Sequence, residues 1–547
     1  MQKKITSYLL LDYPKITFLL SILVNIILAV LVFASIDNIQ ITNYFNADTL
    51  YLPSIYKDIF TDNGTFYGWH LNAAPNFLPD MLLFFIIRSF FSHFIPACFA
   101  YSLIQLTLIF ILFSVLYKSI NKSINYYHLS FGILCMSVFL LVTFFDNDFI
   151  YTFYYLSISY HLGAFINCLL ALIFLFRYIN LGKRRTLMLW FILITFSIIN
   201  DRLFLVMFSF PLNALVLLFF RRNSNTKRIL IAILLNTISI PLGLFLFRML
   251  RLSDYFYIIT LSWKVFNFEN IIPSLKVFIE QHSTYIRELK FRGIIDLLFI
   301  LSFFLHLAIL IKKLKDYYNH KKVEYNELIY LLLFVPTVLS ILFTPILNGS
   351  YVGWGLLRYN THSLYFGIFS LSYVLYKIQQ KFNLSDLWIK AVVSLYILIL
   401  IGYSFRVIYN NNIPQKLDAF FKYYPERIKN IDDISEENHL KYGISDYWDA
   451  KYITMFSKKD LRVYTVYDNL TAWYHVMNEN WYYNSKKGNY KNPVFTFVIA
   501  DRLNAEIIKT TLGQPLDTLN CSNMTVLKFK PFEFDRNTRK PKIIEHE

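Results

Sequence analysis

Charged residues are scarce in this chain. Asp, Glu, Lys and Arg make up only 16% of its 547 residues, whereas soluble globular proteins carry about 25%. This scarcity argues against a chain of several soluble domains, which the length alone would allow. Cysteine is also rare, and the four cysteines are scattered through the chain, three of them in apolar segments. Their spacing shows neither a disulfide framework nor a cysteine-based metal site.

The sequence contains many long apolar runs with few charged residues. Hydrophobic residues make up 56% of the chain and aromatic residues 19%, and aromatic side chains suit lipid contact and interfacial belts. A helix needs about 20 mostly apolar residues to cross about 30 Å of hydrocarbon. We predict about eleven membrane spans, at 16–36, 97–117, 127–145, 161–178, 187–200, 203–220, 229–249, 294–311, 327–346, 362–376 and 391–408.

Lysine and arginine predict the orientation of these spans, because short loops rich in them stay on the cytoplasmic side. Every second loop is basic, and the loops between them hold few basic residues. The basic loops contain Lys118 and Lys122; Lys183, Arg184 and Arg185; Arg221, Arg222, Lys227 and Arg228; Lys312, Lys313, Lys315, Lys321 and Lys322; and Lys377, Lys381 and Lys390. We therefore expect a cytoplasmic N-terminus and an outer C-terminus. The net charge of +17 is then a topology signal, and no nucleic-acid partner is expected.

Two outer segments are predicted to lie along the membrane surface as interfacial helices. Segment 81–95 is apolar but contains Arg88 and His93, and counting it as a span would place Lys118 on the outer side. The outer loop 252–293 has amphipathic character.

The composition changes near residue 409, where an Asn run followed by Pro414 indicates a linker. Short runs of β-branched and aromatic residues at 461–466, 494–500 and 525–529 predict strands, with helices between them. The predicted fold class is mostly α. A transmembrane helical bundle covers 1–408, with its first outer loop at 37–96, and a small outer α/β domain covers 409–547.

The first outer loop concentrates polar side chains that suit catalysis or binding. Its polar part is about 44 residues long, which is long for a connector, and it holds Asp48, Lys57, Asp58 and His70 among aromatic residues. A carboxylate near the membrane surface and shielded by aromatics can be tuned as a general base. The alternative is a solvated loop whose Asp side chains cap turns and helices.

Later outer loops add further candidates. Asp146 and Asp148 precede His161, which begins the next span, and paired carboxylates can bind a divalent cation with help from phosphate oxygens. A polar helix terminus is the alternative. Asp201 and Arg202 occupy the next outer turn. They are functional candidates because they are ionisable at membrane depth, or they form a salt bridge with each other.

Arg358 is the sole cation in the outer loop at 348–363, beside three glycines and Tyr359. Arginine in such a setting suits the phosphate or pyrophosphate of a lipid-linked substrate. The alternative is an interfacial arginine that extends to lipid headgroups.

These features resemble the polytopic C-type glycosyltransferases. The resemblance lies in the first span, the long outer loop with an early Asp (FNADTLYLPSIYKDIF), about ten further spans and an outer C-terminal domain. The chain is similar above all to bacterial enzymes that add sugars to cell-envelope glycans, such as O-antigen glucosyltransferases of lipopolysaccharide. The resemblance implies that Asp48 is the catalytic base and that Arg358 contacts the donor phosphate. It also implies interfacial helices in the first loop and a location in the bacterial inner membrane, with the C-terminal domain in the periplasm.

The expected reaction follows from the predicted sidedness. Nucleotide sugars are made in the cytoplasm, so an outward-facing transferase needs a donor held in the membrane, which a polyprenyl phosphate sugar provides. Asp48 would take the proton of the acceptor hydroxyl, and Arg358, with Lys57 or Arg202, would stabilise the departing phosphate. A single displacement inverts the anomeric configuration. The acceptor would be a lipid-linked or polymeric glycan.

The first loop has no Asp-X-Asp, and Asp146-X-Asp148 lies in the second outer loop. The sequence therefore leaves metal dependence open, with Mg²⁺ or Mn²⁺ as the candidate ions.

Other functions remain open from the sequence. A flippase or transporter of lipid-linked glycans would show charges near mid-span and interrupted helices in related halves. A glycan polymerase or ligase would carry several arginines in large outer loops, and here they are few. A non-catalytic envelope assembly protein would use the C-terminal domain to bind a partner.

Overall fold

The structure is a computed structural model of the chain. It describes residues 13–220, 225–259, 266–483, 490, 493–521 and 524–544. The chain forms two compact units, each built from three segments. Unit 1 contains Met1–Ile36, Phe99–Leu246 and Ser262–Leu417, and unit 2 contains Asp37–Cys98, Phe247–Leu261 and Asp418–Glu547. The first predicted outer loop thus belongs to the same unit as the C-terminal segment.

The chain is mostly helical, and the part that the structure describes has eight helices long and apolar enough to cross a membrane. They are Tyr13–Ser35, Phe94–Ile120, Tyr126–Phe145, Leu162–Leu181, Thr226–Arg251, Gly293–Tyr318, Tyr325–Leu347 and Asp386–Asn410. These helices indicate a membrane-embedded protein. Each coincides with a span predicted from the sequence.

The predicted count of about eleven spans is not confirmed. The segment 187–200 lies in the helix Arg184–Asn200, which has only 17 residues. The segment 203–220 forms only a shorter apolar helix, Leu205–Phe219. The segment 362–376 is divided between the helices Thr361–Phe369 and Leu371–Phe382. Length is the physical reason for the first two segments, since about 20 continuous residues are needed to span the hydrocarbon. In the third, the helix Leu371–Phe382 carries Lys377 and Lys381, which lower its hydropathy.

Unit 1 also contains helices that are shorter or less apolar than these. They are Ile150–Leu156, Phe210–Leu212, Asn213–Phe220, Phe268–Arg287 and Trp354–Tyr359. The helix Phe268–Arg287 is amphipathic, as predicted for the loop 252–293. Phe268 and Ile272 are exposed on it, whereas Gln281 and Tyr285 are buried. Its location at a membrane surface stays a prediction.

A buried carboxylate ties together several helices of unit 1. Glu327 is fully buried in the first turn of Tyr325–Leu347. It accepts hydrogen bonds from Lys313 at 2.7 Å, Lys377 at 2.6 Å, Tyr373 at 3.1 Å and Asn121 at 2.9 Å. Buried charges persist only when they are paired in this way. This cluster fixes the basic end of the helices.

Unit 2 contains a six-stranded sheet. We number the strands β1 Trp69–Leu71, β2 Phe256–Ile258, β3 Tyr442–Ser445, β4 Arg462–Thr465, β5 Phe495–Ile499, β6 Asp517–Cys521, β7 Met524–Phe534 and β8 Pro541–Ile543. The sheet has the order β4-β3-β5-β7-β6, with β8 also paired to β7. β3 is parallel to β4 and β5, and β7 is antiparallel to β5, β6 and β8.

The strands predicted at 461–466, 494–500 and 525–529 coincide with β4, β5 and β7. The strands β3, β6 and β8 were not predicted from the sequence. The helices of unit 2 are Asn38–Tyr44, Tyr51–Tyr56, Lys57–Thr61, Phe77–Met81, Leu82–Arg88, Glu426–Glu437, Tyr447–Phe456, Glu479–Tyr482 and Ala505–Leu512, and Ile413–Phe421 enters it from unit 1. The segment 81–95 contributes only the short helix Leu82–Arg88, and its predicted place at a membrane surface is untested.

The first predicted outer loop is built into unit 2 by backbone pairing. β1 pairs in parallel with β2, and the Gly68 carbonyl accepts a hydrogen bond from the Glu479 N–H at 2.9 Å. Gly68 has a φ of +81°, and a Cβ there would lie 2.1 Å from the Asn480 amide nitrogen. Only glycine meets both conditions. The loop is therefore an ordered part of unit 2.

Candidate functional site

Asp48 lies in a turn that its neighbours hold firmly. The Asn46 side chain accepts hydrogen bonds from the backbone N–H groups of Asp48 and Thr49, both at 3.0 Å. Short polar side chains commonly fix turns in this way. Ala47 and Leu50 are buried on either side, whereas Asp48 itself is only partly buried. The predicted base is thus a partly exposed carboxylate on a rigid backbone.

The C-terminal segment supplies the surroundings of Asp48. The Tyr447 hydroxyl donates a hydrogen bond to the Asp48 carboxylate at 2.8 Å. Tyr447 opens the helix Tyr447–Phe456, and Lys451 follows one turn later with its ammonium 5.1 Å from the Tyr447 ring centroid. The His475 ring lies 5.0 Å from the same ring and stacks on Trp473 at 5.1 Å. We call Asp48, Tyr447, Lys451 and His475 the Asp48 cluster.

Lys451 is the unusual member of the Asp48 cluster. Its residue is 2% exposed, and its Nζ has no hydrogen-bond partner among the described residues. Burial lowers the pKa of Lys451 from 10.5 to about 7, against the opposing charge of Asp48. Burial also lowers the pKa of His475 to about 4, with Lys451 adding to the effect and Asp48 opposing it. At neutral pH His475 is neutral, and Lys451 exchanges its proton readily.

A small cavity adjoins the Asp48 cluster within unit 2. Lys451 lines it together with Ser54, Lys57, Asp58, Asp62, Arg462 and Trp481. Its volume of about 10 Å³ is on the order of what one water needs. The cavity is too small for a sugar, so any substrate would meet Asp48 from its exposed side.

Asp58 holds the first loop to the C-terminal segment. Its carboxylate is 2% exposed and accepts hydrogen bonds from Trp69 at 2.7 Å, Trp481 at 2.9 Å, Tyr490 at 2.9 Å and Asn478 at 3.2 Å. Burial raises the pKa of Asp58, and these donors oppose the rise. Both carboxylate oxygens are thus bound by the protein, Oδ2 by three of these donors and Oδ1 by Trp481. The contacts point to a structural role, and the predicted role in substrate binding stays untested.

Lys57 and His70 also contact other parts of unit 2. The Lys57 ammonium lies 3.0 Å from Asp62, whose carboxylate also pairs with Arg462 at 2.6 Å. The His70 ring lies 3.2 Å from the Glu479 carboxylate and stacks on Tyr257, with ring centroids 4.6 Å apart. Lys57 lines the small cavity beside Lys451, whereas His70 takes no part in the Asp48 cluster.

A second polar cluster forms in unit 1 around His161. Its ring Nδ1 lies 2.5 Å from the Asp201 carboxylate, and His161 adopts a left-handed φ of +64°. The helices Leu162–Leu181 and Arg184–Asn200 are joined by a turn at Gly182, whose φ is +67°. Because this turn is short, the start of the first helix meets the end of the second. That geometry brings His161 and Asp201 together.

Asp201 orients the His161 ring. Asp201 is 3% exposed and also accepts the Leu203 N–H at 2.9 Å. Burial acts to raise its pKa, but the charge and hydrogen bond of His161 outweigh it and hold the pKa of Asp201 below its ordinary value. The contact of Nδ1 with Asp201 fixes the orientation of the ring and therefore the direction of Nε2. Arg202 follows in the same turn.

Tyr359 and Arg358 extend this cluster. The Tyr359 ring centroid lies 5.4 Å from that of His161, and the Arg358 guanidinium donates a hydrogen bond to the Tyr359 hydroxyl at 3.3 Å. We call His161, Asp201, Arg358 and Tyr359 the His161 cluster. It combines a fixed imidazole with a guanidinium, and both are donors suited to phosphate oxygens.

Asp146 and Asp148 are occupied by protein contacts in unit 1. Asp146 accepts the backbone N–H groups of Phe291 at 2.9 Å and Arg292 at 2.7 Å, and Asp148 pairs with the Arg292 guanidinium. Arg292 also stacks over Tyr285 at 3.3 Å. A cation would have to displace a guanidinium here, so the donor set does not fit Mg²⁺ or Mn²⁺. The described residues contain no group of three or more His, Cys, Asp or Glu that suits a metal ion.

Four functional candidates escaped the sequence analysis. Tyr447, Lys451 and His475 lie about 400 or more residues from Asp48, so no local pattern connects them. His362 is fully buried in unit 1, and neither ring nitrogen has a hydrogen-bond partner among the described residues. The signal for Lys451 was its place in a helix rich in aromatic residues, where a cation is unexpected.

Comparison with models of known protein families found no match, and comparison with curated proteins found no similar sequence either.

Proposed function

We propose that this protein is an inverting membrane glycosyltransferase. It would transfer a sugar from a polyprenyl-phosphate donor to a cell-envelope glycan, such as lipopolysaccharide O-antigen, on the periplasmic face of a bacterial inner membrane. The Asp48 cluster carries the proposal. A general base needs a carboxylate that is exposed to an acceptor hydroxyl yet held in one orientation, and Asp48 combines partial exposure with the Tyr447 hydrogen bond.

The electrostatics of the Asp48 cluster support a base. A base must pass on the proton that it receives, and Lys451, with a pKa of about 7, can act as the next acceptor at neutral pH. The hydroxyl of Tyr447 donates a hydrogen bond to one carboxylate oxygen and so fixes the orientation of the Asp48 side chain.

The His161 cluster supports the role in phosphate binding. Arg358 and His161 provide two donors from neighbouring elements, and Asp201 keeps the imidazole in place. Preorganised donors that meet developing negative charge supply a large part of enzymatic rate enhancement. A departing polyprenyl phosphate develops such charge.

The reaction is a single displacement. The acceptor hydroxyl oxygen forms a bond to the anomeric carbon of the sugar, and the bond from that carbon to the phosphate oxygen breaks with its electron pair. The proton of the hydroxyl passes to Asp48. The products are the glycosylated acceptor with inverted configuration and the polyprenyl phosphate.

The test compares envelope glycans by mass spectrometry in a strain without the gene and in strains complemented with variants. Wild type restores a hexose that the deletion strain lacks, and Asp48→Asn does not, since an amide cannot accept the proton. The matched control is Asp468→Asn, which makes the same chemical change at an exposed position of unit 2 and restores the hexose.

Two outcomes would contradict the proposal. In the first, the Asp48→Asn protein is present in the membrane at the wild-type level and transfers sugar at the wild-type rate. That result would exclude Asp48 as the general base. Accumulation of a lipid-linked intermediate in the deletion strain, with the acceptor otherwise intact, would instead favour a flippase, transporter, polymerase or ligase of lipid-linked glycans.

A further inference from the structure

A large pocket opens at the basic end of unit 1. It has a volume of about 1090 Å³ and lies where the helices Phe94–Ile120 and Leu162–Leu181 end and the helix Tyr325–Leu347 begins. Small-molecule sites usually occupy roughly 300–1,000 Å³. The loops at this end are those that the sequence analysis assigns to the cytoplasm, and neither the Asp48 cluster nor the His161 cluster contributes to it.

The lining of this pocket changes from apolar to cationic along each helix. On Phe94–Ile120, Ile111 and Val115 precede Lys118, and all three line the pocket. Residues spaced by three and four lie on one helical face, and the rise from Ile111 to Lys118 is about 10 Å. On Leu162–Leu181, Ile173 precedes Arg177 by one turn. Two neighbouring helices thus present the same gradient.

The cationic rim has a clear excess of positive charge. Lys118, Lys122 and Arg177 line it, and the described lining contains one acidic residue, Glu324. The Glu324 carboxylate accepts a hydrogen bond from Asn121 at 3.0 Å. Lys122 and Arg177 are exposed, and the Lys118 ammonium lies 4.6 Å from the ring centroid of Tyr126.

We propose that this pocket binds an anionic phospholipid, with its headgroup on Lys118, Lys122 and Arg177 and an acyl chain along Ile111 and Val115. Basic pockets between transmembrane helices on the cytoplasmic side recognise such headgroups. A zwitterionic lipid carries no net negative charge to match the excess of basic residues in the described lining. A free anion would leave the apolar wall uncovered by any ligand.

The test uses the full chain purified in a neutral detergent and native mass spectrometry with dioleoylphosphatidylglycerol or dioleoylphosphatidylcholine as the probe. Replacement of Lys118, Lys122 and Arg177 together by Gln is expected to weaken binding of phosphatidylglycerol about 100-fold, since each basic residue near a charged headgroup contributes about fivefold. Binding of phosphatidylcholine is expected to be weak in both proteins.

A control variant removes the same charge from the same end of the protein. Lys312, Lys315 and Lys381 do not line the pocket, and their joint replacement by Gln should leave phosphatidylglycerol binding within about twofold of wild type. If the pocket variant does not purify as a folded chain, Arg177→Gln alone gives the expected loss of about fivefold.

Three results would overturn the proposal. Equal weakening by the control variant would show a general charge effect, and equal binding of both lipids would remove headgroup selectivity. Displacement of phosphatidylglycerol by inorganic phosphate at the same concentration would show that a free anion is the ligand. None of these results bears on glycosyl transfer, so the two proposals fail independently.

Discussion

Replacement of Lys451 by methionine should make unit 2 more stable and the protein less active. Lys451 is the buried amine beside Asp48, and its Nζ has no hydrogen-bond partner among the described residues. Methionine has a similar length, is flexible and brings no charge into the site. A side chain that a protein retains at a cost in stability is expected to serve function.

The magnitude follows from the pKa of Lys451. Burial lowers it from 10.5 to about 7, and one pH unit of difference between two pKa values is worth about 1.4 kcal/mol. Keeping an ammonium at this position therefore costs on the order of 5 kcal/mol below pH 7. Because the surroundings relax in part, we expect Lys451→Met to raise the free energy of unfolding of unit 2 by about 2–4 kcal/mol at pH 6.

The pH dependence gives the sharper measurement. The unfolded chain keeps the proton of Lys451 up to its ordinary pKa of 10.5, whereas the folded chain releases it near pH 7. Stability rises with pH wherever the unfolded state binds more protons. This contribution to wild-type stability therefore increases from pH 7 towards 10.5, and the advantage of Lys451→Met should shrink between pH 6 and pH 9.

Urea unfolding of the purified full chain, followed by tryptophan fluorescence at pH 6, 7.5 and 9, measures both effects. Lys429→Met is the matched control, because Lys429 is an exposed lysine on a helix of the same unit. It should change stability by less than about 0.5 kcal/mol at each pH. If Lys451→Met is no more stable than wild type at pH 6, or if its advantage is equal at pH 6 and pH 9, the reasoning about this buried amine is refuted.

Three further predictions concern the other buried groups. Asp58→Ala should lower the free energy of unfolding of unit 2 by about 3 kcal/mol, because it leaves buried donors unpaired, and urea unfolding measures the loss. Asp201→Asn should raise the KM for the lipid-linked donor by about tenfold with a smaller change in kcat, since His161 loses its orienting carboxylate. Unchanged kinetics would exclude that role. Glu327→Gln should cost about 3–5 kcal/mol by breaking a buried charge cluster, seen as a lower melting temperature in detergent, whereas an unchanged value would contradict the pairing.

Sequence patterns predicted the elements that depend on local composition. Eight apolar runs correspond to eight long helices, and β4, β5 and β7 coincide with runs of β-branched and aromatic residues. The strands β3, β6 and β8 escaped because their sequences, such as DTLNC in β6, are polar or short. Pairing with β5 and β7 stabilises them, and that pairing has no local signature.

The candidate site was predicted only in part, because contacts between residues distant in sequence have no local signature. Tertiary packing supplies the surroundings of Asp48 from residues about 400 or more positions away. It also pairs Asp148 with the Arg292 guanidinium and Asp146 with the backbone N–H groups of Phe291 and Arg292. The spacing of the two aspartates could not indicate these contacts. The contact of His161 with Asp201 is an intermediate case. The spans at 161–178 and 187–200 were predicted, but only the structure shows the short turn at Gly182 that brings the start of the first helix to the end of the second.

The sequence by itself determined that the chain enters a membrane, because about 20 consecutive apolar residues have few other stable places in a cell. It also selected Arg358 as the sole cation of a predicted outer loop, and the family resemblance selected Asp48. Tertiary structure decided that the first loop and the C-terminal segment form one unit, and that Lys451 is buried beside Asp48. The physical reason is that hydrogen bonds and burial join residues far apart in sequence, whereas hydropathy acts residue by residue along the chain.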